Sequence, residues 1–284
     1  MHADPDRYAV LGNPVAHSRS PFIHQLFAQQ TGQVLVYERL LCAMDGFAPA
    51  VRRFAQAGGR GCNVTIPFKF EVPALAARCS ARATLAGAAN VLHIAGSHWL
   101  ADNTDGVGLV RDIEQGAGVA LAGLRVLLIG AGGAAAGVLG PLLQRRPAAV
   151  VVANRSAEKA QALMARHADW AATHGARLDV CSLADAAAPG GFDVVINASA
   201  SSLQGAASPV APAVLGAGCL AIDLMYGSAA APWLDWAQSH GARPRDGLGM
   251  LVEQAAGAFE LWRGVHPTTA PVLAALRAEL AAGR

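Results

Sequence analysis

The sequence lacks several features that would place a protein in a specialised class. Its five cysteines form no C-x-x-C pair among 284 residues, which argues against a disulfide framework and against a metal site. The N-terminus has neither the basic start nor the apolar core of a signal peptide, and no apolar run approaches the length of a membrane span. The chain also has no large excess of charge of one sign, since its net charge is +2 and its basic residues are scattered. We therefore expect a cytoplasmic protein that binds neither membranes nor nucleic acid.

Apolar sequence is abundant, and it is arranged in short strand-like runs that alternate with helical ones. This alternation predicts an α/β fold with mainly parallel sheets. At roughly 150 residues per domain the chain is long enough for two, and we expect one over 1–105 joined by 248–284 and another over 106–247. The predicted strands are 8–11, 34–41, 61–66, 90–95, 98–101, 149–153, 177–181, 192–197 and 219–224, with a further strand beginning at Leu124. The predicted helices are 21–31, 45–56, 67–75, 107–115, 134–144, 250–262 and 268–281.

A glycine turn between a strand and a helix is the most informative motif. The apolar run 125–129 ends in Gly-Ala-Gly-Gly at 130–133, and a helix-forming run follows at once. Gly130 suits the tight turn, Gly132 lets the backbone approach a pyrophosphate, and Ala135 is small enough for close helix–strand packing. The free N–H groups of the helix start then favour phosphate. The motif predicts a dinucleotide-binding domain.

The end of the following strand indicates which dinucleotide is bound. NAD sites usually place Asp or Glu there to bind the ribose 2′-hydroxyl, but Asn154 occupies this position. Arg155 and Lys159 lie beside it, and a guanidinium can bind a 2′-phosphate with two charge-assisted hydrogen bonds. We therefore favour NADP over NAD.

Polar motifs at the ends of strands in the first domain are candidate substrate ligands, since open α/β sheets bind ligands there. Ser18 and Ser20 could bind a carboxylate, although Ser20 before Pro21 also has the pattern of a helix N-cap. Pro67 predicts a helix start that places Lys69 in the first turn, where the macrodipole disfavours a cation. This position lowers the preference of Lys69 for its charged form, which suits proton transfer.

Asn90 and Asp105 complete this set, although each alone could be a turn or cap residue. Together with Ser18, Ser20, Thr65 and Lys69 they suit a small polyhydroxylated acid. The chain resembles the shikimate dehydrogenase family over almost its whole length. The resemblance is carried by the motifs NPVAHSRSP, NVTIPFK, GAAN, DNTDG, GAGGA, NRS and DGLGMLVEQAA.

The resemblance implies a substrate-binding domain followed by a Rossmann-type NADP domain, with Lys69 and Asp105 as the catalytic pair. It implies that shikimate is bound by Ser18, Ser20, Thr65, Lys69, Asn90, Asp105, Tyr226 and Gln254. It implies that NADP is bound by Gly130, Ala131, Gly132, Gly133, Ala134, Asn154, Arg155, Ser156, Lys159, Ser199, Leu224, Met225 and Gly247.

The activity implied is reversible reduction of 3-dehydroshikimate to shikimate by NADPH, in a monomer or homodimer. In this mechanism Lys69 protonates the developing alkoxide, and Asp105 holds Lys69 in place while binding a neighbouring hydroxyl. The chain departs from the family pattern at two positions: Ala200 replaces a hydroxyl residue, and Ser156 replaces the usual threonine. We expect both changes to affect cofactor affinity more than chemistry. Two alternatives stay open: an NAD-dependent quinate/shikimate dehydrogenase, and a non-catalytic NADP sensor of the same fold.

Overall fold

The computed structural model describes residues 4–199, 201 and 208–282. These residues form two compact units. Unit 1 comprises the residues up to Gly108 and those from Val252 onward, and unit 2 comprises Leu109–Leu251.

The first half of the chain supplies the sheet of unit 1. Its elements are β1 (Asp6–Gly12), α1 (Ser20–Thr31), β2 (Leu35–Leu41), α2 (Phe47–Gln56), β3 (Gly59–Val64), β4 (Arg78–Cys79), α3 (Ala81–Ala86), β5 (Val91–His93), β6 (Leu100–Asp102) and α4 (Asp105–Arg111). The six strands are ordered β2-β1-β3-β5-β6-β4. Strand β1 pairs in parallel with β2 and β3, whereas β5 runs antiparallel to β3 and β6. The predicted hairpin is thus confirmed, and the sheet is mixed.

The core of unit 1 lies against this sheet. Phe47 from α2 and Phe68 stack with ring centroids 4.9 Å apart, and both are fully buried beside Leu92. Burying an aromatic ring of this size is one of the larger single contributions to a core. The segment that carries Phe68 is therefore fixed on the sheet, next to the strand ends.

The helix predicted over 67–75 is wrong. Two short 3₁₀ turns, Phe68–Phe70 and Val72–Leu75, occupy this segment. An α-helix would need an N–H from residue 73 to the carbonyl of Lys69, and Pro73 has none. That carbonyl instead accepts from the backbone N–H of Ala89 at 2.9 Å. Because no α-helix begins at Pro67, the macrodipole argument for Lys69 does not apply.

Unit 2 contains a wholly parallel sheet. A π-helical turn, Asp112–Gly116, continues α4, and the elements that follow in unit 2 are β7 (Arg125–Ile129), α5 (Gly133–Gln144), β8 (Ala149–Ala153), α6 (Ala157–Thr173), β9 (Arg177–Cys181), β10 (Phe192–Asn197), β11 (Leu215–Asp223), α7 (Ala231–Ser239) and β12 (Arg243–Arg245). Helix α8 (Leu248–Arg263) begins in unit 2 and belongs to unit 1 from Val252 onward, and α9 (Ala270–Ala282) belongs to unit 1. The strands are ordered β12-β11-β10-β7-β8-β9. Read from β9 to β12, with β7 as the first strand, this is the 3-2-1-4-5-6 order of a Rossmann-type dinucleotide-binding sheet.

Strand β7 lies in the middle of this sheet. The side chains of 126–129 are fully buried, as expected for a parallel strand covered on both faces. The order of strands reverses between β7 and β10, and ligands of such sheets bind at the carboxyl ends of the strands on either side of this point. The predicted helices and strands omit α3, β4, α7 and β12, which have ten residues or fewer, and they also omit the 17-residue α6.

Candidate active site

The carboxyl ends of β1 and β3 bring together two of the motifs in unit 1. The strands pair in parallel with Leu11 opposite Val64, so the loops that follow them start side by side. The backbone N–H of Asn13 donates to the carbonyl of Ile66 at 3.0 Å. A Cβ on Gly12 would lie 2.3 Å from Cγ2 of Thr65, so only glycine allows this approach. The loop after β1, which carries Ser18, and the Thr65–Lys69 segment are therefore fixed to each other.

Ser18 and Ser20 form a hydroxyl pair at the start of α1. The hydroxyl of Ser18 donates to that of Ser20 at 3.2 Å, and Ser20 is buried. Ser20 is the first residue of α1 rather than its cap, and the N-cap residue, Arg19, makes no side-chain capping bond. The capping alternative for Ser20 is therefore wrong, and its hydroxyl instead accepts from Ser18 in the preceding loop.

Tyr37 and Asn63 extend this polar network, and sequence reasoning singled out neither. The phenol of Tyr37 donates to Oδ1 of Asn63 at 2.6 Å, and Nδ2 of Asn63 donates to the carbonyl of Asn90 at 3.3 Å. Burial raises the pKa of Tyr37, while a hydrogen bond with Ser20 opposes this effect. Tyr37 therefore stays protonated and links the serine pair to Asn90. Asn63 stands in the NVTIPFK motif, which could have pointed to it.

Lys69 and Asp105 meet in a mostly buried ion pair. Nζ of Lys69 lies 2.6 Å from Oδ2 of Asp105, and the side chains are 15% and 5% exposed. Asp105 begins α4, but its carboxylate is directed to Lys69 and Asn90. Within the described residues the other two N–H groups of Lys69 make no hydrogen bond. The pair thus has donor capacity that the protein itself does not use.

The amide of Asn90 gathers the acceptors of the site. Its Nδ2 lies 2.9 Å from Oδ1 of Asp105, 3.0 Å from the Thr104 hydroxyl and 2.8 Å from Oε1 of Gln254. Two amide hydrogens therefore face three acceptors, so one proton is shared. Thr104, which the prediction omitted although it lies in the DNTDG motif, also donates its backbone N–H to Oδ1 of Asn90 at 2.8 Å. Such an acceptor-rich group of side chains suits a ligand with several hydroxyl donors.

The glycine turn of unit 2 has the geometry of a phosphate cradle. Gly130 follows β7 with φ of 110°, and a Cβ there would meet the backbone of Ala198 at 3.1 Å. Gly132 is the N-cap of α5 and makes no side-chain capping bond, and a Cβ on it would meet nothing within 4 Å. The first N–H groups of α5 are therefore uncapped beside open space. The predicted Ala131, Gly133 and Ala134 lie in the same turn and first helical residues.

The end of β8 carries the residues predicted at the 2′-phosphate. Nδ2 of Asn154 donates to the carbonyl of Ser156 at 2.8 Å and so shapes the turn. Arg155 and Lys159 are exposed. The hydroxyl of Ser156 donates to Glu158 at 2.9 Å, so this serine already has an acceptor within the protein. Two exposed cations beside a turn without an acid at 154 fit a phosphate better than a ribose hydroxyl.

The ends of β10, β11 and β12 bring together the residues predicted near the nicotinamide. The backbone N–H of Leu224 donates to the carbonyl of Asn197 at 3.0 Å, and that of Gly247 donates to Met225 at 2.9 Å. A Cβ on Gly247 would lie 2.3 Å from the carbonyl oxygen of Leu224. The hydroxyl of Ser199 donates to Oδ1 of Asn197 at 2.7 Å.

Two further sequence predictions concern this unit. Tyr226 directly follows Met225 in unit 2, and its contact with substrate stays a prediction. Ala200 lies outside the described residues.

No group of three His, Cys, Asp or Glu side chains among the described residues could hold a metal ion. None of the helices described is both long and apolar enough to cross a membrane.

Comparison with protein families matches three parts of the chain. Residues 10–92 match the shikimate dehydrogenase substrate binding domain. Residues 112–205 match the shikimate / quinate 5-dehydrogenase family, and residues 247–277 match the shikimate 5'-dehydrogenase C-terminal domain. The matched segments contain most of the residues described above.

Similar proteins agree with these matches. A shikimate dehydrogenase (NADP(+)) of Acidovorax sp. (strain JS42) is 61% identical over 284 residues, and the alignment covers all of both chains. The structure of an Ael1 enzyme from Pseudomonas putida is 46% identical with a TM-score of 0.85, covering 95% of this chain and 98% of that one. Shikimate 5-dehydrogenase from Thermus thermophilus, in complex with NADP(H) and shikimate, is 29% identical with a TM-score of 0.82, covering 96% and 99%.

Proposed function

Since the chain belongs to the NADP-dependent shikimate dehydrogenase family, we propose that Lys69 and Asp105 carry its reaction. The reaction is the reversible reduction of 3-dehydroshikimate to shikimate in the shikimate pathway, an oxidoreductase activity that uses NADP. The observation that supports the assignment of these two residues is the 2.6 Å contact between Nζ of Lys69 and the carboxylate of Asp105. The NAD-dependent alternative and the non-catalytic sensor are not favoured, because the relatives are named as NADP(+) enzymes.

Lys69 is the proton donor in this proposal. When a carbonyl carbon of the substrate gains a hydride, negative charge develops on its oxygen and must be neutralised. A Lys69 N–H that is unused within the protein can donate to that oxygen, and in the reverse direction the amine receives the hydroxyl proton. Asp105 holds Nζ in place and accepts a hydrogen bond from a neighbouring substrate hydroxyl.

The remaining ligands orient the ring. We assign the substrate carboxylate to the hydroxyl pair Ser18 and Ser20, and the ring hydroxyls to Thr65, Asn90 and Gln254. The sharing of two Asn90 hydrogens among three acceptors supports this, because substrate hydroxyls would supply the missing donors. We add Asn63 and Thr104 to this group, since they lie in the same network.

NADP is assigned to unit 2. When bound, the cofactor supplies or accepts the hydride. Gly132 and the uncapped N–H groups of α5 would hold the pyrophosphate, since a helix N-terminus combines free donors with a positive dipole end. Arg155 and Lys159 would bind the 2′-phosphate, and Ser199, Leu224, Met225 and Gly247 would lie along the nicotinamide half. We correspondingly propose unit 1 as the substrate-binding domain.

We also propose that the enzyme is a cytoplasmic monomer or homodimer without a nucleic-acid partner. The free cysteines support the cytoplasmic location, because they do not suit an oxidising compartment. The near-zero net charge argues against a polyanionic partner such as nucleic acid. Size-exclusion chromatography with light scattering measures the oligomeric state. A tetramer, or retention on a nucleic-acid column at physiological salt, would contradict this part.

Activity is tested with shikimate and quinate, each with NADP and NAD. We expect the pair of shikimate and NADP to be used with the highest kcat/KM. Lys69→Met should lower kcat by about 10²- to 10⁴-fold, the usual contribution of general acid–base catalysis. A Lys69→Met enzyme with near-normal turnover would show that another group moves the proton.

A further inference from the structure

Asp102 is a buried carboxylate that the proposed reaction does not use. It directly precedes the segment Asn103-Thr104-Asp105 and is 3% exposed. Arg82 donates to it through Nε at 2.7 Å and Nη2 at 2.5 Å, which is a bidentate pair. The hydroxyl of Ser80 at 2.5 Å and the backbone N–H of Asn103 at 2.7 Å also donate to Oδ1. Four donors therefore fix this carboxylate at the start of the segment that ends in Asp105.

Asp102 and its neighbours connect the three segments that carry Lys69, Asn90 and Asp105. Ser80 is the N-cap of α3, and Arg82 lies in its first turn, so Asp102 is bound to the helix that leads into residues 87–90. The carbonyl of Asp102 accepts from the N–H of Asn90 at 3.1 Å, and Asn103 donates to the carbonyl of Ala88 at 2.9 Å. The N–H of Ala89 in turn donates to the carbonyl of Lys69 at 2.9 Å.

We propose that Arg82 is a positioning residue for the reaction and acts through Asp102 to set the distance between Lys69 and Asp105. This inference rests on the proposed roles of those two residues. Arg82 touches neither of them, but its guanidinium binds the carboxylate that joins α3 to the Asp105 segment. Without Arg82, Asp102 would keep two of its four donors, the Ser80 hydroxyl and the Asn103 N–H.

The electrostatics of Asp102 agree with this role. Burial alone would raise the pKa of the carboxyl group, but the hydrogen bonds and charge of Arg82, with Ser80 and Asn103, outweigh it and lower the pKa. Arg82 is itself 37% exposed, so it is not needed to fill the core. Asp102 without this cation would be a buried charge with two uncharged donors, and its segment would relax to find solvent.

The test compares Arg82→Ala, Arg82→Lys and a control, Arg7→Ala, in the full-length enzyme. Arg7 forms an ion pair with Glu38 in the same unit at similar exposure, 42% for the arginine side chain. Single-turnover formation of NADPH from shikimate and NADP+ is the main readout, since product release can limit kcat. Dissociation constants for NADP+ and shikimate and thermal unfolding are measured beside it.

We expect Arg82→Ala to lower the single-turnover rate by about 10- to 100-fold, because a misplacement of 1 Å can cost about 10²-fold. Arg82→Lys should recover part of the rate, since it restores the charge without the fork. The NADP+ dissociation constant should stay unchanged. A rate for Arg82→Ala within twofold of wild type, or an equal loss in Arg7→Ala, would overturn the proposal. If Arg82→Ala does not fold, a wild-type rate for Arg82→Lys overturns it instead.

Lys69→Met and Asp105→Asn, measured in parallel, distinguish a failure of the proposed catalytic pair from a failure of the positioning role of Arg82. If these variants keep the wild-type rate, the proposed roles of Lys69 and Asp105 are wrong, whatever Arg82 does. If they lose activity while Arg82→Ala keeps it, only the positioning role is wrong.

Discussion

Replacing Gly132 by alanine tests whether this glycine is needed for the fold or for binding a ligand. Gly132 has φ of −89° and ψ of −172°, which is extended backbone that alanine also adopts. A Cβ there meets nothing within 4 Å, and the residue is exposed. We therefore expect Gly132→Ala to change the free energy of unfolding by less than about 0.5 kcal/mol, as for other exposed positions without special contacts.

The same methyl group should weaken NADP binding. It would project into the space in front of α5 that we assign to the pyrophosphate. Inserting a methylene-sized group into a packed site costs about 1–3 kcal/mol, which corresponds to an increase of about 5- to 150-fold in the dissociation constant. Titration calorimetry with NADP+ measures this change, and urea denaturation of the free protein measures stability.

Two other glycines serve as controls. Gly241 has φ of 78° with open space around it, so Gly241→Ala should lower the free energy of unfolding by about 1–2 kcal/mol without changing NADP affinity. Gly130→Ala would place a methyl group at a φ of 110° and in tight contact with Ala198, so it should lower both the free energy of unfolding and the NADP affinity. An unchanged NADP+ dissociation constant in Gly132→Ala would show that the glycine turn is not the pyrophosphate site.

Three further predictions concern other parts of the chain. Arg155→Ala should raise the NADP+ dissociation constant about tenfold while leaving that of NAD+ unchanged, since one charged hydrogen-bond donor is lost; parallel calorimetry with both cofactors checks this. Asp112 is 2% exposed and bound by both Nε and Nη2 of Arg245, so Asp112→Ala should lower the free energy of unfolding by about 3–5 kcal/mol in urea denaturation. Burial lowers the pKa of His24 from 6.5 to about 3. The unfolded chain therefore takes up this proton first as pH falls, and stability should drop by about 2 kcal/mol between pH 6.5 and 5. His24→Phe should remove that part of the drop in urea denaturation at the two pH values, and an unaltered pH dependence would contradict the assignment.

The parts of the fold that local sequence determines were predictable. The glycine turn and β7 could be read directly because a continuous apolar run and glycines at fixed positions have few alternative structures. The segment after Pro67 was predicted wrongly, because Pro73 and the tertiary bond from Ala89 to the Lys69 carbonyl outweigh local helix signals. Short elements such as α3 have too few residues for their periodicity to be recognised.

The site itself was predictable as a set of residue types but not as a network. Gln254 and Asn90 are 164 positions apart, and their 2.8 Å contact depends on α8 packing beside the sheet of unit 1. Their common role could be expected only from the family resemblance. Arg82 carried no such signal, because a single arginine in a short helix is usually solvated. Its bidentate bond to Asp102 becomes visible only when β6 and α3 are in place.

The three mostly buried ion pairs discussed above differ in the side chains around them. Replacing a buried ion pair with apolar residues is often neutral for stability, so burial of charge alone does not explain why a pair is present. Asp112 receives two bonds from Arg245, and Asp102 receives four donors, so each carboxylate is satisfied within its own unit. The Lys69–Asp105 pair differs in its surroundings, because Asp105 shares the two amide hydrogens of Asn90 with Thr104 and Gln254. Shared acceptors are short of donors, and a ligand with several hydroxyl groups would supply them. This shortage adds to the ion pair as a reason to propose the chemistry for Lys69.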